Sequence, residues 1–338
     1  MVAIDRSLLR VGLGACFFVG IATLTVYQFY AARLGRSELH HLDAIADDRM
    51  RRVDAWLIDQ RSSLRQQLGD KTVLEAGRDV LAAPRRSRAA PPSPAELTLD
   101  AAFRATSSLR VSTSLLSNGG IIVYSTQPGL LGYYRPLANT TTLLHPHELE
   151  TKPYNLYTDG GTGLPAITLA LPLCAGPVDD RITDCRSKRR LGVLAAGLDL
   201  GVLMRRVRQD SRSGDVSVTL VGQTGFGTIT EVHAERSNGL APSIPRKDRL
   251  LPPLSSTAIL RAMDGFSGSG AYLDAHGVPV LGAYRWIPSL RMALMVEAPQ
   301  SITFAPARRI ASGVFVIGNA SVLFVCFLLA RLRGSRTV

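Results

Sequence analysis

Two uncharged, predominantly apolar stretches lie near the two ends of the chain, and most of the polar residues fall between them. The first covers residues 11–30 and the second covers residues 310–330. Each has about 20 residues, the length that an α-helix needs to cross a hydrocarbon core about 30 Å thick. The pattern therefore predicts two transmembrane helices with a water-exposed domain between them.

Basic residues flank the outer ends of both spans, which indicates that both termini are cytoplasmic and that the large domain lies in the periplasm or outside the cell. The first span is longer than the apolar region of a signal peptide, so we expect an uncleaved anchor. Residues 331–338 are too few to fold as an output domain. The flanking arginines are Arg6 and Arg10 in segment 1–10 and Arg331, Arg333 and Arg336 in segment 331–338.

Between the spans, the hydrophobic period changes from helical to strand-like. In residues 31–83, apolar residues recur at helical spacing with charges on the opposite face, which predicts one long amphipathic helix rising from the membrane. A connector rich in proline and arginine, residues 84–94, ends it. Beyond the connector, β-rich runs alternate with turn signals such as Asn118-Gly119-Gly120.

These β-rich runs form two groups, each with short helices and strands joined by hairpins. Residues 84–210 form a membrane-distal unit, and residues 211–304 form a membrane-proximal unit. In the first group, Asp199 is placed to cap a helix over residues 200–208. The pattern predicts an α+β fold in which antiparallel sheets occur twice.

Composition narrows the function classes. The net charge is +12, but the basic residues are scattered in small clusters without interleaved aromatic residues, which argues against nucleic-acid binding. The chain has none of the motifs GxSxG, HExxH or a P-loop, so we expect no enzyme and no cofactor. His145, His147 and Glu148 could bind a metal, but the proline between the histidines favours a surface loop.

The four cysteines divide into two pairs by position. Cys16 and Cys326 lie in the apolar spans and are interpreted as packing residues. Cys174 and Cys185 flank a short polar loop in the exported region, where an oxidising compartment favours a disulfide. The alternative is two free thiols.

One segment resembles a known family. Residues 265–286, GFSGSGAYLDAHGVPVLGAYRW, are similar to the membrane-proximal half of double Cache (dCache) sensor domains, and residues 162–172 and 192–200 match the distal half more loosely. The resemblance covers residues 34–307. It implies two PAS-like antiparallel-sheet units on a long N-terminal helix, here flanked by two transmembrane helices.

The resemblance also implies a function. Such domains are extracytoplasmic small-molecule sensors in bacterial signal transduction, usually homodimeric, with the ligand in the distal unit. The second span then leads to a kinase, cyclase, phosphatase or chemoreceptor module. In this chain we expect the signal to pass to a separate kinase, cyclase or chemotaxis protein. The alternatives are the N-terminal sensor fragment of a histidine kinase or cyclase, and a ligand-independent membrane-anchored interaction protein.

Candidate ligand residues lie in the distal unit. An arginine with a tyrosine could hold a carboxylate, and an aspartate could hold an amine. No tryptophan follows Tyr133-Tyr134-Arg135, so the amino-acid specificity of the family is not carried over. A structural role is favoured for each residue taken singly, notably for Tyr124 in a strand and Asp159 in a turn. The candidates are Tyr124, Tyr133, Tyr134, Arg135, Tyr154, Tyr157 and Asp159, with Ser125 and Thr168 nearby.

Overall fold

The computed structural model confirms a mixed α and β architecture in which two five-stranded antiparallel sheets pack along one long helix. The structure describes residues 6–83, 91–104, 110–134, 154–158, 165–174, 190–208, 216–223, 229–232 and 256–334.

Helix α1, Arg6–Gly69, contains both the first apolar span and the amphipathic stalk. Its 64 residues extend for about 96 Å at 1.5 Å per residue. Most of the apolar positions predicted from the helical period are buried, among them Leu42, Leu57 and Leu64, and Leu39 and Met50 are partly buried. The predicted stalk helix is interrupted at Asp70, whose extended backbone and side chain cap a second helix, α2, Lys71–Ala82.

The distal sheet packs on α1, α2 and a third helix, α3, Pro94–Arg104. Its strands lie in the order β2-β1-β5-β4-β3. The strand bounds are β1, Arg110–Ser117; β2, Ile122–Ser125; β3, Tyr154–Thr158; β4, Pro165–Cys174; and β5, Arg190–Asp199.

Helix α4, Leu200–Arg208, begins at the residue that follows β5. The Gly201 amide donates a hydrogen bond to Asp199 Oδ1 at 2.7 Å, which confirms the predicted cap. Helix α4 packs against α1 and leads towards the proximal unit.

The proximal sheet repeats the topology of the distal sheet, in the order β7-β6-β10-β9-β8. Each sheet therefore has the strand order 2-1-5-4-3 within its own unit. A short helix, α5, Thr257–Met263, packs on the face directed away from α1. The strand bounds are β6, Ser217–Gln223; β7, Ile229–Val232; β8, Gly268–Leu273; β9, Pro279–Ile287; and β10, Met292–Pro299.

After β10 the chain forms a single helical turn, α6, Gln300–Thr303, and then α7, Ala305–Gly334. Helices α1 and α7 are each long and apolar enough to cross a membrane, by length and composition. They pack antiparallel. A Cβ placed on Gly318 would lie 2.7 Å from Val19 Cγ1, so the missing side chain permits close approach.

One arginine from each sheet reaches α1. In the proximal sheet, Arg285 Nε donates to Asp47 Oδ1 at 2.7 Å and Nη2 donates to Asp43 Oδ1 at 2.9 Å. Burial lowers the pKa of Arg285, but the hydrogen bonds to both aspartates outweigh it and the pKa is raised. The sheet is therefore fixed to α1 by a charged clamp over one helical turn.

In the distal sheet, Arg110 Nη1 donates to Gln67 Oε1 at 2.6 Å and Nη2 donates to Ser63 Oγ at 3.1 Å. These partners are neutral, and burial lowers the pKa of the Arg110 guanidinium to about 10. This attachment to α1 relies on hydrogen bonds to neutral groups, so its charge is less well compensated than that of Arg285.

In residues 265–286, the segment that resembles the double Cache family, two glycines make room for packed aromatic rings. The Tyr272 ring lies over Gly282 of the adjacent strand, where a Cβ would come within 2.7 Å of Tyr272 Cζ and closer still to Oη. The Tyr284 ring lies over Gly268 in the same way. The two rings meet edge to face at 6.4 Å, so the glycines accommodate a pair of packed tyrosines.

Replacing Gly282 with alanine should destabilise the protein by about 1–3 kcal/mol because the new methyl group overlaps the Tyr272 ring. Gly270→Ala is a matched control, because Gly270 lies opposite Gly282 and a Cβ there meets nothing within 4 Å. Urea denaturation of both variants measures the difference. Equal stability of the two variants would contradict this packing.

Candidate functional site

The distal sheet buries both of its faces, and the two faces differ in chemistry. One face packs leucines and isoleucines against α1, α2 and α3. We call the opposite face the outer face. Near Val193, Ala195 and Leu116 it is apolar, but beside these residues it carries a set of buried hydroxyl groups. This hydroxyl cluster consists of the buried Ser112, Ser114, Ser125 and Thr168 and the partly buried Tyr157.

Gly197 of β5 lies at the centre of the hydroxyl cluster. A Cβ placed on Gly197 would lie 2.8 Å from Tyr157 Oη and 3.1 Å from Ser112 Oγ. The hydroxyls of β3 and β1 therefore converge over a backbone position that has no side chain. Thr168 is the register partner of Gly197 on β4, so it lies beside the same point.

The hydrogen bonds within the hydroxyl cluster are unevenly distributed. Ser114 Oγ and Ser125 Oγ are 3.0 Å apart and satisfy each other. Ser112 is 3% exposed, yet its Oγ has no hydrogen-bond partner among the described residues. A buried hydroxyl without a partner costs about 1–3 kcal/mol. Such a group needs an explanation, and a bound polar ligand is one.

The structure brings some of the predicted ligand residues to the outer face. Tyr157 belongs to the hydroxyl cluster, and Ser125 and Thr168 also belong to it. Tyr154 pairs with Thr168 in the strand register, on the strand that carries Tyr157. The positions of Arg135 and Asp159 lie outside the described residues, so their roles stay predictions.

Tyr133 and Tyr134 follow β2 and are half exposed, at 54% and 49%. Backbone bonds attach this segment to Ile122, whose amide donates to the Tyr133 carbonyl at 3.0 Å. Neither residue belongs to the hydroxyl cluster.

Tyr124 points to the helix-facing side of the sheet. Its Oη donates to Asp100 Oδ1 at 2.7 Å, and its ring packs against Phe103 at 6.3 Å between centroids. Burial and the bond to Asp100 raise the pKa of Tyr124. These contacts explain Tyr124 as the residue that joins β2 to α3, and we leave it out of the proposed site.

Sequence reasoning missed Ser112, Ser114 and Gly197. A usable signal was present, because two serines at alternate positions of a strand must share one face. Gly197 carried no comparable signal, since its role depends on strand register.

On the helix-facing side, a small apolar gap lies between α2, α3 and the sheet. It leaves room for about one water molecule. A gap of this size and chemistry does not suit a polar ligand. Its lining residues are Leu68, Val73, Gly77, Leu99, Phe103, Leu115, Leu173 and Leu194.

The outer face of the proximal sheet also carries hydroxyl groups, those of Tyr272 over Gly282 and of Tyr284 over Gly268. There, Ala258, Ile259 and Ala262 of α5 pack against Ala293 and Met295 of β10. The two sheets share one topology, and the buried, unpaired serine hydroxyl beside a glycine, Ser112 beside Gly197, belongs to the distal one.

The remaining sequence predictions concern cysteines and metals. Cys174 is buried at the end of β4, but Cys185 lies outside the described residues, so the disulfide stays a prediction. Cys16 and Cys326 are free and lie in α1 and α7. Within the described ranges, no group of three or more His, Cys, Asp or Glu side chains could hold a metal. The segment with His145 and His147 is outside those ranges.

Comparison with known proteins identifies the fold. No protein-family model and no curated protein matches the chain. Among solved structures, the sensor domain of the histidine kinase DctB from V. cholerae has 12% identity and a TM-score of 0.50, over 78% of this chain and 98% of that domain. This likeness confirms the fold that the resemblance to double Cache domains implies.

Two further structures were found at lower TM-scores. The ligand-binding domain of the Pseudomonas aeruginosa chemoreceptor PctB has a TM-score of 0.48 and 16% identity, over 81% of this chain and 93% of that domain. The ligand-binding domain of the Campylobacter jejuni chemoreceptor Tlp3 has a TM-score of 0.45 and 15% identity, over 81% and 98%.

Tyr124→Phe should lower the free energy of unfolding by about 1 kcal/mol at neutral pH, because the bond to Asp100 is lost. The raised pKa of Tyr124 means that only the unfolded chain loses the phenolic proton just above pH 10. The unfolded state then binds fewer protons, and the wild-type protein loses stability as the pH rises above 10. The difference in the free energy of unfolding between wild type and Tyr124→Phe should therefore become smaller as the pH rises above 10.

Urea denaturation at pH 7, 9 and 11 measures this difference. Tyr134→Phe serves as the control, because its half-exposed ring should change stability by no more than about 0.5 kcal/mol. If the stability difference between wild type and Tyr124→Phe grew with pH, the role of the Tyr124–Asp100 hydrogen bond would be contradicted.

Proposed function

We propose that the chain is a membrane-anchored extracytoplasmic sensor that binds a small polar molecule against the hydroxyl cluster, on the outer face of the distal sheet. Three findings support this proposal. The fold is that of the DctB sensor domain, two helices are suited to span a membrane, and the distal sheet has a buried set of hydroxyls.

The unpaired Ser112 hydroxyl carries the proposal. A buried hydroxyl without a partner costs stability, and alanine at position 112 would avoid that cost. The Ser112 hydroxyl lies beside Tyr157 and Gly197, and a ligand bound there would complete its hydrogen bonding. The stability that Ser112 costs in the empty protein would then be recovered on binding.

The sheet surface supplies hydroxyl groups that can donate and accept hydrogen bonds to a neutral polar part of the ligand. We propose that Arg135 and Asp159 add the charged groups, the guanidinium for a carboxylate and the aspartate for an amine. This division makes small organic acids, amino acids and amines the first compounds to test.

We further propose the route of the signal. Strand β5 carries Gly197 and continues into α4, which packs on α1, the helix that enters the membrane. Both termini lie in the cytoplasm in this proposal, as the flanking arginines indicate. The signal would reach a kinase, cyclase or chemotaxis output module there, with two copies of the chain acting as a homodimer.

Thermal-shift measurements on the full chain in detergent test ligand binding. Amino acids, organic acids and amines are screened singly. A true ligand at 100 times its Kd stabilises the folded state by about 2.7 kcal/mol and raises Tm measurably. If no compound raises Tm, the ligand-independent interaction protein becomes the better proposal.

Ser112→Ala should raise the stability of the ligand-free protein by about 1 kcal/mol, because it removes an unsatisfied buried hydroxyl. The same variant should reduce the Tm increase produced by the ligand. Ser114→Ala is the matched control. It leaves Ser125 without its partner at 3.0 Å and should destabilise the protein. A full ligand response in Ser112→Ala would place the ligand elsewhere.

A further inference from the structure

Four exposed arginines surround the pair of membrane helices where they leave the apolar spans on the side of the folded domain. Arg33 and Arg36 lie on α1, and Arg308 and Arg309 lie on α7. We call this set the arginine collar. The sensor proposal does not use these residues, and the positive-inside pattern does not explain them, because they lie on the opposite side from the termini.

Contacts between the helices place the collar at one level. A Cβ on Gly35 would lie 3.5 Å from the Phe304 ring, and the Arg308 amide donates to the Phe304 carbonyl at 3.0 Å. The Val19–Gly318 contact shows the same antiparallel register. At 1.5 Å per residue, the collar occupies a band about 10 Å high, comparable to one lipid headgroup layer.

Residues 27–37 and 300–312 contain no aspartate or glutamate, and the nearest carboxylates in the sequence are those of Glu38 and Glu297. Arg36 Nε donates to the Ala32 carbonyl at 3.3 Å, so its guanidinium leans towards the membrane. Arg308 Nη2 donates to the Ser301 carbonyl. The hydrogen bonds seen for these two guanidinium groups are made to backbone carbonyls and leave their charges unneutralised.

Exposed apolar side chains accompany the collar at this end of the domain. Leu273 and Val278 flank the tip of the β8–β9 hairpin, and Ile302 lies in α6. Gln300 Nε2 donates to the Val280 carbonyl at 3.1 Å, which holds the hairpin beside α6. Basic residues next to exposed apolar ones are the composition of a surface that meets lipid headgroups.

We propose that the arginine collar binds the phosphate groups of anionic lipids in the leaflet on the domain side. The planar guanidinium group forms two parallel hydrogen bonds to a phosphate, which suits a headgroup better than a diffuse surface charge. The bound lipids would fix the height of the domain above the membrane. The proposal rests on α1 and α7 spanning the bilayer.

Native mass spectrometry of the full chain tests the collar. The protein is released from detergent containing equal amounts of phosphatidylglycerol and phosphatidylcholine. The wild type should retain phosphatidylglycerol in preference. The variant Arg33→Gln, Arg36→Gln, Arg308→Gln, Arg309→Gln should retain about tenfold less of it, since each arginine near an anionic surface contributes to binding. The arginines near the termini remain and set the background.

The matched control removes four exposed arginines elsewhere on the domain: Arg51→Gln, Arg205→Gln, Arg206→Gln and Arg261→Gln. It should retain phosphatidylglycerol as the wild type does. Equal retention by the collar variant, or an equal loss in the control, would overturn the proposal. So would a Tm increase with inorganic phosphate as large as that with phosphatidylglycerol, because the site would then bind free anions. Resistance to carbonate extraction checks membrane insertion separately.

Discussion

The continuity of α1 is the constraint on which the rest of the structure depends. The same helix contains an apolar segment long enough to cross a membrane, receives the proximal sheet through Asp43 and Asp47, and receives the distal sheet through Ser63 and Gln67. Most of the stability of helices in proteins comes from tertiary packing, and α1 packs against other elements at successive levels. The two sheets are thus tied to one rigid element, and their separation along it is set by helical rise.

The attachments at the two levels differ in strength. Arg285 pairs with two aspartates one turn apart, whereas Arg110 has neutral partners and a pKa lowered by burial. A buried charge without an opposite charge is costly, so the distal attachment is the less secure one. The distal sheet also keeps an unsatisfied hydroxyl on its other face. The uncompensated charge of Arg110 and the unpaired Ser112 hydroxyl both lower the stability of the distal unit.

Elements that depend on local chemistry could be predicted from the sequence. The helical period gave the buried positions of α1, and Asp199 indicated the start of α4 at the correct residue, because caps act over two or three residues. The break at Asp70 and the start of α3, where Ser93 and Glu96 form reciprocal bonds, were missed. The site was only partly predictable, because the meeting of Ser112, Tyr157 and Gly197 depends on the register of strands far apart in sequence.

The direct passage from β5 into α4 limits the degrees of freedom between the two units. Because Leu200 follows Asp199 directly, no connecting loop separates the strand from the helix. A change of about 10° in the direction of β5 would move the far end of this nine-residue helix by about 2 Å. At that end Arg208 donates to the Val218 carbonyl of β6. A change in the direction of β5 would therefore be transmitted through α4 to the proximal sheet.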